Sequence, residues 1–529
     1  VLTAKLLEDA HLGSGAGGAG VHALLARDRD RRPVIWASHL EGLLRAAAMA
    51  LHDRDTADRL FGAPGGARQP AVFTSLYCQS QSKATPRIWR STARKSFSNR
   101  APEDDTLRAV QMVPRGTCFT GYVELPGSDM IMLERLLLEV DAVGHGRASG
   151  AGRVRFNLDL AKREKREMVT VKGASRLRLL LHNRDPLCVA ATATPGNLIP
   201  TESFIPGRTV LGALASWLLA QQHHEAAALL VSETISVGDA LPLPWQGALD
   251  AKALSTVEVL PVPLALKTEK PRGQAGAGPW WSWEEPPASY QREDRARAEA
   301  SSEAHPAKDK KLKRPPADLF LARRHNEGWR AYRPEHRVRL RNGRPDPDQQ
   351  DPSLFAIAQL VERTYFLTEL QGSPAALQQL SEALRPVLEG RSWLRVGRAG
   401  APVEVAGTTF LLPAPLAKPA SLHSGYLTLT SDLLVRDELL RWRTALTAKD
   451  FSKLPGWPHE LISVTSVLQE ETGVRGFNGT ARLWRLPAAG IRRGSVFQVE
   501  GPGVTALIEA AAAGRWLGER THEGFGRFR

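Results

Sequence analysis

The sequence predicts an α+β fold made of repeated strand–helix–strand units, and three observations predict it. Short strand-like runs alternate with amphipathic helical runs along most of the 529 residues. One helix entry occurs twice, as IWASHLEGLLRAAAM from Ile35 and as IPGRTVLGALASWLL from Ile205. One order of strand, helix, glycine loop and strand occurs three times.

The elements follow in chain order. VLTAKLLEDA reads as a first strand and lacks the basic-then-apolar pattern of a leader peptide. The glycine loop His11–Gly20 comes next, with Gly13, Ser14 and Gly15 at its start. In the first helix entry, Ser38 and Glu41 have the spacing of a capping box. Leu40-Glu41-Gly42-Leu43-Leu44 aligns with Val210-Leu211-Gly212-Ala213-Leu214. A helical glycine costs ~1 kcal/mol against alanine, so its recurrence predicts close packing of both helices on a sheet. In the second entry Pro206 and Gly207 supply the turn.

The threefold pattern begins with Arg115-Gly116-Thr117-Cys118-Phe119, whose loop runs from Gly144 to Gly152 before the strand RVRFNL. It returns at Arg493-Gly494-Ser495-Val496-Phe497, with a loop from Gly518 to Gly526. A weaker copy runs from Thr364-Tyr365-Phe366 to the loop Gly397–Gly400. Each copy is half of a βαββαβ unit of the ferredoxin-like (RRM-type) kind, so at least two such units are expected.

Residues 270–351 stand apart. They are rich in Pro, Ala and mixed charge without an apolar period, which predicts a flexible insertion. Trp280, Trp281 and Trp283 within it suggest docking on a surface. The expected boundaries are 1–172 for a first unit, 173–269 with 352–413 for a second, and 414–529 for a C-terminal one.

Composition limits the function classes. Lys plus Arg is 70 against 56 Asp plus Glu, a net charge of +14, so a polyanionic partner is a natural expectation. Three cysteines, Cys78, Cys118 and Cys188, exclude a disulfide framework and a cysteine-rich zinc site. No apolar run is long enough for a membrane-spanning helix, and the expected location is cytoplasmic. No cofactor and no metal site are expected.

Alternating glycines reach positive φ and can present backbone N–H groups to phosphate oxygens. Arg147 and Arg520 add charge there, and His145 and His522 add donors. No Gly-Lys-Ser/Thr follows, and each loop leads into a strand, so neither a P-loop nor a dinucleotide fingerprint is present. His11, His22 and His39 lie near the first loop. With Arg45 or Arg27 they would be the candidates for metal-independent RNA cleavage. A pure assembly protein is the remaining class. Salt-dependent RNA binding separates it from the others.

Several stretches together resemble the RAMP superfamily of CRISPR-associated proteins. They are HLGSG, VIWASHLEGLLR, GHGRASGAGRV, SFIPGRTVLGALA, LPVPLALK, LTLTSDLL, FNGTARLWRLPAAGIRRGSVF and LGERTHEGFGRFR. More narrowly they resemble the large tandem-RAMP subunit of type III-D effector complexes. The resemblance implies tandem ferredoxin-like domains that bind crRNA near its 5′ end. It also implies contact with other RAMP subunits and a large polymerase-like subunit, and with target RNA only through the guide. Target-cleaving relatives carry an aspartate in the first loop. The nearest acid here is Asp28, so this subunit is expected to be non-catalytic. The residues expected to hold RNA are Gly13, Ser14, Gly15, Gly144, His145, Gly146, Arg147 and Gly150 in the N-terminal half. Gly518, Arg520, His522, Gly524, Phe525 and Gly526 are expected at the C-terminus, with Arg45, Arg208 and Lys267 as further cations.

Overall fold

In the computed structural model the chain is a mixed α/β protein with almost wholly antiparallel sheets. The structure describes residues 1–18, 20–62, 71–79, 85–91, 106–161, 166, 168, 170–192, 196–245, 247, 249–266, 268–269, 312–313, 316–325, 327–342, 354–413, 422–454, 457, 461–478 and 483–529.

The N-terminal sheet has the order Val34–Ile35, Leu76–Cys78, Cys118–Gly121, Leu2–Leu6, Val154–Leu158. Leu2, Ala4 and Leu6 alternate with Thr3 and Lys5, so one face is buried and the other is not. Helices Ala37–Leu51 and Met130–Glu139 cover the buried face with Leu40, Leu44, Ala48, Leu133 and Leu136. The central sheet runs Ile235–Val237, Tyr365–Gly372, Arg176–Asn183, Ala401–Leu411, Leu394–Val396. Helices Gly207–Ala220 and Pro374–Ala383 pack on it. In the C-terminal sheet Val496–Glu500 lies between Ser424–Thr428 and Ser463–Leu468. Phe528 bridges Leu429, and helix Val504–Ala512 covers the layer.

All three layers share one strand order: the first strand lies between the third and the fourth, and the second lies outside the third. The first and last layers also share their hydrogen bonds. Leu6 N donates to Thr117 O at 3.0 Å and Gly116 N to Leu6 O at 2.8 Å. Leu429 N donates to Ser495 O at 3.0 Å and Gly494 N to Leu429 O at 2.7 Å. The Asp9 carboxylate accepts Arg115 N at 2.8 Å, and the Asp432 carboxylate accepts Arg493 N at 2.9 Å. In the central layer Arg363 N donates to Asn183 O at 2.8 Å, with Arg363 at φ 63° where Gly116 and Gly494 have 84° and 83°. Pro186 holds the aspartate's place there, so that tie is missing.

Three expectations need correction. Ser38 does not cap its helix. Trp36 is the cap residue, with no side-chain bond, and Ala37 N donates to Ser75 Oγ at 3.0 Å. The Ser38 hydroxyl instead accepts from the Arg341 guanidinium at 3.2 Å. Gly42 and Gly212 are not sites of close approach, because an added Cβ at either meets nothing within 4 Å. Finally, 270–351 is not all flexible insertion. Phe320–Arg323 pairs with Glu258–Pro261 and Arg330–Tyr332, burying Phe320 and Trp329. His336–Asn342 pairs with Leu354–Leu360. Strand His336–Asn342 escapes a composition test because its period of two is carried by arginines, two of which stack on Trp36 and one of which pairs with Glu362. Trp280, Trp281 and Trp283 lie outside the described residues. Among the described residues no helix is long and apolar enough to cross a membrane.

Gly42→Ala and Gly212→Ala are each expected to stabilise the protein by about 0.5–1 kcal/mol, since both glycines are exposed helical positions with room for a methyl group. Thermal unfolding of the single variants checks this; a lowered midpoint would mean a contact that the free space around them does not show.

Candidate nucleic-acid interface

The first glycine loop is a paired hairpin. Ser14 N and Oγ both donate to Leu24 O, at 2.9 and 3.0 Å, and Gly18 pairs with Val21. Gly15 has φ 82°, and a Cβ there would stand 3.2 Å from the Leu340 Cβ, so the hairpin rests on strand His336–Asn342. The three histidines near it are bound to backbone. His11 Nδ1 donates to Gln111 O at 2.7 Å. His22 Nδ1 accepts Ala109 N at 2.9 Å, and His39 Nε2 accepts Gly144 N at 2.9 Å. Burial, then the charge of Arg147, lowers the His39 pKa from its ordinary value, which favours that neutral acceptor.

The N-terminal and C-terminal glycine loops have one architecture. Val143 N donates to Gly152 O, Gly152 N to Asp9 O and His145 N to His11 O, at 2.9, 2.8 and 3.0 Å. The counterparts are Leu517 N to Gly526 O, Gly526 N to Asp432 O and Glu519 N to Leu434 O, at 2.9, 2.8 and 2.9 Å. Each loop encloses a 3-10 turn between left-handed residues: Arg147–Ser149 between Gly146 and Gly150, and Thr521–Glu523 between Arg520 and Gly524.

This geometry changes the assigned roles. The amides of Gly144, His145, Gly150, Gly152, Gly524 and Gly526 bond inside the protein, so they do not form the expected phosphate cradle. Arg520 takes the place of Gly146, not of Arg147, which puts the two arginines out of register. Arg520 pairs with buried Glu523 and lies 5.3 Å from the centre of the buried Phe525 ring. His522 Nδ1 lies 3.3 Å from Glu233 Oε1. Gly518 is pressed on Leu434 O, 2.2 Å from a Cβ there. Arg147 and His145 are exposed. Arg45 is committed to Asp58 and to Gly62 O, so its role is to join two helices. Arg208 is half-buried, with Asp239 and Glu202 among the charges that act on it. Lys267 lies outside the described residues.

Two basic surfaces were missed in the sequence. The first is a two-stranded ribbon, Arg87–Ser91 with Arg108–Met112. Residues 87–91 are exposed throughout, Trp89 by 49%. Its signal was the interleaving of arginine and aromatic residues in PRIWRS. The second is a crevice at the start of helix Ala37–Leu51. Strand His336–Asn342 turns Arg337, Arg339 and Arg341 toward the helix, while Val338 is exposed and Leu340, on the same opposite face, lies against the hairpin at Gly15. The guanidinium carbons of Arg337 and Arg339 lie 5.1 and 4.3 Å from the Trp36 ring centre.

The charges in this crevice are unequal. Arg337 is neutralised by fully buried Glu362, with bonds of 3.1 and 3.4 Å. Arg339 has no hydrogen bond or ion pair among the described residues, and Arg341 has only the Ser38 hydroxyl. Burial lowers the Arg339 pKa to about 9, and repulsion from Arg341 adds to it. Burial also lowers the Arg395 pKa, with Glu41 as the opposing charge. Glu41 itself is pushed up to about 7, mainly by desolvation. Asp185 accepts from Ser75 N, Ser75 Oγ and Tyr77 Oη, all neutral donors, and its charge opposes the lowering at Arg339 without an ion pair to it. The crevice therefore has more guanidinium than carboxylate, and an oxyanion would relieve that imbalance.

Comparison with known proteins bears on the same part of the chain. Residues 3–155, which make up the N-terminal layer, match the RAMP superfamily. No curated protein matches the chain. Among solved structures, a chain of type III-B Cmr-beta bound to cognate target RNA is 16% identical over 30% of this chain and 57% of that one, with TM-score 0.25. The present chain thus spans little more than half of that relative. A chain of type III-B Cmr-beta bound to cognate target RNA and AMPPnP is 12% identical over 63% and 87%, with TM-score 0.32. CRISPR associated protein Cas6 is 9% identical over 67% and 98%, with TM-score 0.28.

Two outcomes are expected. Gly152→Ala and Gly526→Ala each destabilise by about 2 kcal/mol or more, because their φ values are positive and a Cβ would stand 2.0 and 1.7 Å from a carbonyl oxygen. Urea unfolding reads this, and a neutral result would mean that the loops open without cost. Glu41 has a folded-state pKa above its ordinary 4.5, so folding takes up a proton and its contribution to stability falls as pH rises from 4.5 to 7. Glu41→Gln should then raise stability at pH 8 by about 1–3 kcal/mol and change little at pH 4. Equal shifts at both pH values would refute the assignment.

Proposed function

We propose that the chain is a non-catalytic crRNA-binding subunit of a type III CRISPR effector complex, of the type III-D kind, holding the crRNA near its 5′ end. The three layers are read as tandem ferredoxin-like RAMP units, and the complex as cytoplasmic. Neighbouring RAMP subunits and a large polymerase-like subunit are its protein partners, and target RNA is reached through the guide. The observation that carries the RNA reading is the crevice at Trp36, where Arg339 and Arg341 face the N-terminal layer with no carboxylate in ion-pair contact among the described residues. Phosphodiester groups supply the missing charge, and binding of this kind is driven by counterion release. The exposed Arg87–Ser91 ribbon offers a stacking surface in addition.

The non-catalytic reading is supported by the bonding of His11, His22 and His39 to backbone groups. Asp28 is also unsuited to catalysis: it is buried and holds Arg32 N at 2.8 Å.

The test is fluorescence anisotropy with a single-stranded RNA carrying a repeat-derived 5′ tag, beside a scrambled RNA of equal length. Arg339→Gln with Arg341→Gln should weaken binding at least about ten-fold and flatten the salt dependence by ~0.7 per lost phosphate contact. Unchanged affinity and slope overturn the RNA reading. Target RNA should stay intact, and cleavage that disappears in His11→Ala or His22→Ala would overturn the non-catalytic one.

A further inference from the structure

The C-terminal glycine loop is docked inside the molecule. Its turn meets Gly207, the first residue of helix Gly207–Ala220, backbone to backbone. A Cβ on Gly207 would stand 2.7 Å from Glu523 O and 3.0 Å from Gly524 Cα. Two arginines flank the contact. Arg493 lies 3.5 Å from the Phe204 ring centre, with Glu202 and Asp239 each at 3.8 Å. Arg527 reaches Glu369 at 3.8 Å and donates to its carbonyl at 3.2 Å. This joint sets a glycine turn on a helix start and two guanidiniums against three carboxylates.

The N-terminal unit carries the same elements on the same frame. Arg115 stands where Arg493 does, since each donates its amide to the equivalent aspartate. Arg153 stands where Arg527 does: Leu7 N donates to Arg153 O at 2.7 Å and Thr430 N to Arg527 O at 2.8 Å. Gly150 and Gly524 both close the 3-10 turn in the left-handed conformation. In this second copy none of the described residues covers them. Arg115, Gly150 and Arg153 are all exposed, and neither arginine has an ion pair among the described residues.

We infer that this face of the N-terminal unit docks a second protein, through a helix that starts on a glycine or another small residue and is flanked by carboxylates. The internal joint specifies the occupant. A small residue at the helix start lets the Gly150 turn approach as Gly524 does, and the carboxylates meet Arg115 and Arg153. Among the described helices of eight residues or more, another copy of this chain does not offer such a start, and its shorter helices at Ala251 and Ala448 run six and four residues. Its start at Gly207 is covered by its own C-terminal loop, and its start at Ala37 is covered by Ser75 and Arg341. The occupant is therefore a neighbouring subunit, which rests on the multi-subunit assembly proposed above.

The test places p-benzoylphenylalanine at Ala148, exposed in the middle of the turn, in the full-length chain purified with its native complex. Irradiation should join it to a protein, and mass spectrometry should map the join to the first turn of a helix with Gly, Ala or Ser at its start and Asp or Glu within that turn. Arg115→Glu with Arg153→Glu should lower the yield about ten-fold, with the thermal midpoint and the RNA affinity of the isolated chain unchanged. Joining to RNA, joining to a protein away from a helix start, or no joined product overturns the inference. Because RNA affinity is read separately on the Arg339 variants, loss of the docking face and loss of the RNA reading are distinguishable.

Discussion

One residue ties three segments together in each of the two outer units. Asp9 accepts Arg115 N on its carboxylate and Gly152 N on its carbonyl, so the end of the first strand fixes the approach to the third and the start of the fourth. Asp432 does the same with Arg493 N and Gly526 N. A carboxylate that accepts a backbone amide makes a charge-assisted bond, roughly twice as strong as a neutral one. The glycines are required by the same tie. At Gly152 and Gly526 the chain passes so close to a carbonyl that no side chain fits. The glycine loops are thus the seam where the fourth strand is drawn onto the sheet.

The central unit lacks this tie, and its charges go elsewhere. Pro186 cannot accept as the aspartate does. Glu362 holds the place of Arg115 and turns to Arg337 and to Arg29 N. Through it the second sheet grips both the turn Asp28–Arg32 and strand His336–Asn342. That strand then presents Arg339 and Arg341 to the start of the first helix, where Glu362 is paired with their neighbour Arg337 and Asp185 acts on Arg339 only at a distance. The same economy explains the C-terminal loop, whose flanking residues Arg493 and Arg527 are met by carboxylates of the central unit while Arg520 pairs with Glu523 of the loop itself.

Much of this was legible in the sequence. Spacing alone marked the strand starts at Arg115, Thr364 and Arg493 and both long glycine loops, because glycine at fixed offsets from a strand reports a backbone that a side chain would obstruct. The resemblance carried by GHGRASGAGRV and its neighbours agreed with the RAMP match over residues 3–155. Other features were misread for physical reasons. Gly42 and Gly212 are a shared cost without a shared contact. Arg520 and Arg147 look equivalent in a string of letters, yet one occupies a glycine's left-handed position and the other does not.

The sequence by itself determined the repeated order of elements, the basic balance of the chain and the place of the two long glycine loops. Local conformation and composition are properties of short segments, and they can be read one segment at a time. Only the tertiary structure decided which charges are spent and which remain. A guanidinium is free or neutralised according to the carboxylates that distant segments bring within reach, and that placement brings Arg339 beside Trp36, Arg520 onto Glu523 and leaves Arg115 and Arg153 facing solvent.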